Sequence, residues 1–159
     1  MKIVLDTNVL VAGLLSPFGP CGDIVRMASS GNLILCIDAR VLSEYREVLW
    51  RPKFRFDRDK VAAVLDYIER NGWIVSSSPL SASLPDHDDE PFLEIAVSGG
   101  ADCLITGNVA HFPSELRQGV KALTPADFLK RCVKRGVYKK RRKSTGITQK
   151  QSRHIGESS

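Results

Sequence analysis

Cysteine, histidine and long apolar runs are all in short supply in this chain, and each shortage removes a class of function. Four cysteines (Cys21, Cys36, Cys103 and Cys132) are spread over 159 residues with no Cys-x-x-Cys spacing. That argues against a structural zinc site or a disulfide framework. Because Cys36 and Cys103 lie inside apolar runs, the thiols read as buried and free. The three histidines form no pair at metal-binding spacing, so zinc chemistry is not indicated. No apolar run approaches transmembrane length, and Asp6 interrupts the first one after Leu5, too early for a signal peptide. The expectation is a cytoplasmic protein with no membrane segment. No internal repeat is visible.

Charge, by contrast, is plentiful and unevenly placed. The net +5 conceals a tail from Lys130 onward with 11 Lys/Arg and a single acid, following 129 residues that carry 12 Lys/Arg and 17 acids. An acidic body with a basic tail suits a carboxylate-rich site supplied with a polyanionic substrate. Residues 1–136 read as one domain and 137–159 as a basic tail without apolar period, disordered in isolation. Within the tail, Lys139, Lys140, Arg141, Arg142 and Lys143 form an unbroken cationic run that can neutralise phosphates.

Along the body, short β-prone runs alternate with helical periods. Lys2 to Leu5, Leu33 to Ile37, Trp73 to Val75, Asp102 to Thr106 and Val120 to Leu123 read as five strands. Helical spacing fills most of the stretches between them, and Ala126 to Arg135 reads as a last helix. This predicts an α/β fold with a central, mainly parallel five-stranded sheet flanked by helices. Between the second and third strands, Arg51 to Arg58 is a basic and aromatic connector. Its aromatics are expected to pack and its charges to be solvated, with contact to a nucleic-acid strand as the alternative.

The chemistry concentrates in Asp86-His87-Asp88-Asp89-Glu90-Pro91-Phe92, where a knot of carboxylates runs into an apolar helix. Helical spacing puts Asp89 one turn ahead of Phe92, Leu93 and Ala96, so a carboxylate begins a core-facing stripe. Asp86 or Asp88 can serve as a helix cap, with Pro91 tolerated in the first turn, but capping uses only one of these acids. Asp6 follows the first strand, at the strand end where ligands gather in parallel sheets, although it or Asn8 can equally cap the next helix. Glu44 falls at the margin of a helix face formed by Val41, Leu42, Tyr45, Val48 and Leu49, whereas Glu47 points away. Asn108 lies just past the fourth strand. If these groups converge, only oxygen ligands meet. Their mutual repulsion is relieved by a hard divalent cation such as Mg²⁺ or Mn²⁺. Such an ion activates water and stabilises phosphoryl charge, which suits phosphodiester hydrolysis.

Four segments together resemble a PIN-domain protein of the kind that forms the toxin component of bacterial toxin–antitoxin pairs. They are Ile3-Val4-Leu5-Asp6-Thr7-Asn8-Val9-Leu10, Leu42-Ser43-Glu44-Tyr45-Arg46-Glu47-Val48-Leu49 with Arg51-Pro52-Lys53-Phe54, Asp86 to Ala96, and Leu104-Ile105-Thr106-Gly107-Asn108. The resemblance covers residues 1 to about 129. It implies a PIN-like three-layer sandwich and metal-dependent ribonuclease activity by an acidic cluster, with RNA as substrate, a cognate antitoxin as partner and a homodimer as the assembly. Carried over by position, the acids are Asp6, Glu44 and Asp89, with Asp86 close enough to assist. The fourth acid of many members is Asn108 here. An amide can orient water or donate to phosphate but cannot neutralise a second metal. Two other readings stand beside this one. The first is a PIN-fold RNA-binding module with weak or no catalysis. The second is a haloacid-dehalogenase-like phosphatase, suggested by Asp6-Thr7-Asn8, although its second acid would be Asn8.

Overall fold

The computed structural model describes residues 1–140. Five strands, β1 (Lys2–Leu5), β2 (Ile34–Ile37), β3 (Trp73–Ile74), β4 (Cys103–Ile105) and β5 (Ala122–Leu123), form one sheet. Their order is β3-β2-β1-β4-β5, and every pairing is parallel. Parallel neighbours need crossovers: α1 (Thr7–Leu15) and α2 (Pro20–Ser29) lie between β1 and β2, α3 (Ala39–Leu49) and α4 (Arg58–Asn71) between β2 and β3, and α5 (Glu90–Ser98) between β3 and β4. 3₁₀ turns lie between β4 and β5, and α6 (Pro125–Lys134) follows β5. β4 throughout and β1 from Ile3 onward are apolar because helices cover both faces. Ile3, Val4, Leu5, Leu104 and Ile105 are at most 1% exposed.

The strand order fixes where a site can form. From β1 the chain moves outward through β2 to β3, then returns to lay β4 on the opposite side of β1. The crevice between the carboxyl ends of β1 and β4 is thus the topological switch point, the usual place for ligands in open α/β sheets. Both strands continue polar at that end, into Asp6 and Thr106, and both residues are buried. The Asp6 amide donates to the Ile105 carbonyl at 2.9 Å, extending the ladder one rung beyond β1.

Four expected strands are shorter than read, and β2 and β4 lose only flanking residues, Leu33 from the first and Asp102 and Thr106 from the second. β3 and β5 keep two residues each, because they are edge strands with one pairing partner. The basic connector contains a 3₁₀ turn, Pro52–Phe54, and the acidic knot contains another, His87–Asp89, so α5 starts at Glu90. At the far end, the Val137 amide donates to Cys132 O at 3.0 Å and the Tyr138 hydroxyl donates to Asp23 on α2. Lys139 and Lys140 are exposed. Arg141, Arg142 and Lys143 lie outside the described residues. Among the described residues no single helix is long and apolar enough to cross a membrane.

Candidate active site

Asp6 is held from three sides. Its backbone is pinned to β4, its carbonyl accepts from Val9 N at 3.0 Å as α1 begins, and its Oδ2 accepts from the buried Thr106 hydroxyl at 2.8 Å. The side chain does not cap α1, although Asp6 occupies the N-cap position. Its carboxylate is therefore free for another role. Burial pushes the Asp6 carboxyl above its ordinary value, with the Thr106 hydroxyl and the amides of Thr7 and Asn8 acting against that rise.

Glu44 reaches the same crevice from α3. This helix is anchored by Asp38, which accepts from Val41 N at 2.9 Å. It is also anchored by the fully buried Tyr45, whose hydroxyl donates to Leu5 O at 2.6 Å. That bond ties the residue after Glu44 to the residue before Asp6. The Glu44 carboxylate accepts from the Thr7 hydroxyl. Glu44 is half-buried and its carboxyl is pushed up by desolvation, then by the negative charges of Asp6 and Asp88.

Asp89 is the third acid. Its side chain is 14% exposed, and its Oδ2 is a buried polar atom with no hydrogen-bond partner. His111 Nδ1 stands 3.4 Å from that oxygen, within ion-pairing range but too long for a sound hydrogen bond. Desolvation raises the Asp89 carboxyl from 3.8 to about 6, with Asp6, Asp86 and Glu44 adding to the rise and His111 opposing it. A buried carboxylate oxygen without a donor costs free energy, which a cation or a proton would recover.

Asp86 behaves differently. It is exposed, and its Oδ1 accepts from Asp88 N at 2.9 Å, so it caps the 3₁₀ turn and acts on Asp89 only through its charge. Glu90 closes the turn from the other side, accepting from Leu84 N at 3.3 Å and meeting His87 Nδ1 at 2.8 Å. Asn108 is exposed. Its amide N–H donates to Thr106 Oγ1 at 3.1 Å, and its Nδ2 lies 2.9 Å from His111 Nε2. With Nε2 accepting, the imidazole proton sits on Nδ1, facing Asp89.

Asp6, Glu44 and Asp89 are therefore brought together closely enough that the charge of Asp6 raises the other two carboxyls. Hydroxyls occupy part of Asp6 and Glu44, and among the described residues no three His, Cys, Asp or Glu side chains form a ready-made metal-binding group. The donor set still fits a hard cation, being all carboxylate oxygen with one orphaned atom. Thr7, Thr106, Asp88 and His111 were missed from sequence. Thr7 and Thr106 directly follow residues at strand ends, which is the one signal that would have found the two hydroxyls. His111 had none, since a 3₁₀ turn (Val109–His111) carries it back over the site.

Comparison with curated proteins gives no match. Among solved structures the fold is similar to VapBC2 from Rickettsia felis bound to a DNA fragment from their promoter. The TM-score is 0.53 at 16% identity, over 78% of this chain and 98% of the matched chain. At that identity the likeness concerns the fold. Residues 2–110, a span containing Asp6, Glu44, Asp89 and Asn108, match the PIN domain family, and the chain belongs to that family.

Proposed function

We propose that this PIN-domain protein is a Mg²⁺- or Mn²⁺-dependent endoribonuclease and the toxin of a toxin–antitoxin pair. The observation that carries the reading is the buried Oδ2 of Asp89, which lacks a hydrogen bond, beside Asp6 and Glu44: burial pushes all three carboxyls upward, and the charge of Asp6 adds to the rise at Glu44 and Asp89. Asp6, Glu44 and Asp89 would hold the ion, with Asp86 adding charge at the rim. A divalent cation bound there supplies a water of lowered pKa and neutralises charge on a phosphoryl oxygen. Thr106 and Thr7 keep the Asp6 and Glu44 carboxylates in register by donating to them. His111 carries its Nδ1 proton toward Asp89, and Asn108 holds that tautomer. Lys139 and Lys140, with Arg141, Arg142 and Lys143 beyond the described residues, add phosphate affinity without base choice. A cognate antitoxin and a second copy of the chain are the partners this reading assigns.

The test is cleavage of end-labelled RNAs by the purified full-length protein with and without Mn²⁺, with product ends determined. Cleavage that chelator abolishes is the expected result. Folded protein that cuts no RNA at any Mn²⁺ concentration overturns it. A second reading, an RNA-binding PIN module of weak activity, is favoured by Asn108 at the fourth acid position and by the hydroxyl-engaged carboxylates. RNA binding without chelator-sensitive cleavage would select it.

A further inference from the structure

At the carboxyl end of α3 the chain forms a second feature that the acidic site does not use. Leu49, Trp50, Arg51, Pro52, Arg55, Phe56 and Arg58 line an open cleft of about 260 Å³. Trp50 is 41% exposed, and the Arg58 guanidinium lies 5.7 Å from its ring centre. Phe56 is half-buried and stacks on Phe54 with centroids 5.5 Å apart, which fixes its ring in the cleft wall. The three guanidiniums are almost unneutralised. Arg51 meets Glu47 at 3.6 Å, while Arg55 and Arg58 have no carboxylate within ion-pairing distance among the described residues. Arg55 also holds a left-handed backbone with φ 50°, its amide bonded to Pro52 O at 3.2 Å. A non-glycine residue in that region costs free energy, as it does at Gln118, the other such residue among those described. Arg58 begins α4, where the positive end of the helix disfavours a cation.

We infer that this cleft is a binding subsite for single-stranded RNA, in which a nucleobase stacks on Trp50 while Arg51, Arg55 and Arg58 hold the flanking phosphates. The inference rests on the ribonuclease reading for its ligand class. An aromatic face beside unpaired guanidiniums matches both halves of a nucleotide, and stacking is sequence-tolerant because every base has a π-face. Position supports it: Trp50 is the C-cap of α3, six residues after Glu44 and about 9 Å farther along the axis. A duplex, whose bases are stacked on each other, offers nothing to Trp50.

The chain has two tryptophans, so Trp73→Phe leaves Trp50 as the only indole reporter. Full-length protein carrying Asp6→Asn and Trp73→Phe is titrated, in chelator, with a mixed-sequence 12-nucleotide RNA, the same RNA as a duplex, and an abasic strand of equal length. Saturable quenching of Trp50 emission by the single strand, and none by the other two, is expected. Trp50→Ala should weaken single-strand binding by roughly tenfold. Arg55→Gly, which suits the left-handed backbone, should weaken binding several-fold without lowering Tm, separating lost contact from lost fold. Single-strand binding with silent Trp50 emission, or quenching by an acidic peptide and by no strand, overturns the inference. Cleavage by the parent protein is scored separately in Mn²⁺. A silent Trp50 in an active nuclease therefore sinks the subsite alone, and a quenched Trp50 in a protein that does not cut sinks the nuclease reading alone.

Discussion

Two aspartates stand at opposite ends of the same pair of strands, and the chain treats them in opposite ways. At the amino end, Asp102 is exposed. It exchanges two bonds with Lys2, accepting from the Lys2 amide at 2.9 Å and donating its own amide to Lys2 O at 2.8 Å. Lys121, Arg131 and Arg135 line the cavity beside it. At the carboxyl end, Asp6 is buried near Glu44 and Asp89, bonded by the Thr106 hydroxyl and the Thr7 and Asn8 amides, with no ion pair to it among the described residues. The first arrangement closes the β1–β4 pairing. The second holds like charges together, which a fold does not need for stability and a ligand can exploit.

The sharpest way to break this comparison is to neutralise both ends. Asp6→Asn should lower Mn²⁺-dependent cleavage by roughly a hundredfold or more, whereas Asp102→Asn should leave it within about twofold. Parallel rate measurements decide it, and equal effects would dissolve the distinction. Next in size is Thr106→Val. It keeps the volume but takes the donor from Asp6 and the acceptor from Asn108 N, so activity should fall about tenfold with the fold retained by circular dichroism.

A third expectation concerns stability without metal. The Asp89 carboxyl is raised from 3.8 to about 6 in the folded chain, so its contribution is present below the lower value and lost as pH rises through the upper one. Asp89→Asn removes that loss. In chelator, its melting advantage over the parent should therefore open between about pH 4 and 6 and stay level above. After allowance for solvent screening it should reach about 1 kcal/mol. A margin that shrinks across that window would contradict the placement of Asp89. The smallest effect is expected from Asn108→Asp, which adds an acid at the rim and should lower the Mn²⁺ concentration for half-maximal cleavage a few-fold. Isothermal titration with the same affinity and stoichiometry as the parent would remove Asn108 from the site.

The acidic end was more legible from sequence than its wiring. Asp6 directly follows an unbroken apolar run, and Asn108 follows one by way of Thr106 and Gly107, so strand ends could be read. Glu44 sits at the margin of a clean helical face, and it is half-buried as that position requires. Period alone could not divide the labour within Asp86 to Glu90, because 3₁₀ geometry breaks the helical register there and leaves Asp86 as a cap. The hydroxyls of Thr7 and Thr106 escaped because threonine at a strand end has many uses, and only three-dimensional pairing selects among them. The bounds of β3 and β5, read as Trp73 to Val75 and Val120 to Leu123, escaped for the opposite reason: two residues carry no period to mark their ends.

The amide of Asp6, bonded to Ile105 O on the innermost pair of strands, cannot exchange its hydrogen with solvent unless that pair opens. The Asp88 and Asp89 amides are held only by local bonds to Asp86, in a turn free to open by itself. One half of the crevice is thus as durable as the whole molecule and the other only as durable as a loop. Anything that grips both would slow exchange in the turn while leaving Asp6 as protected as before.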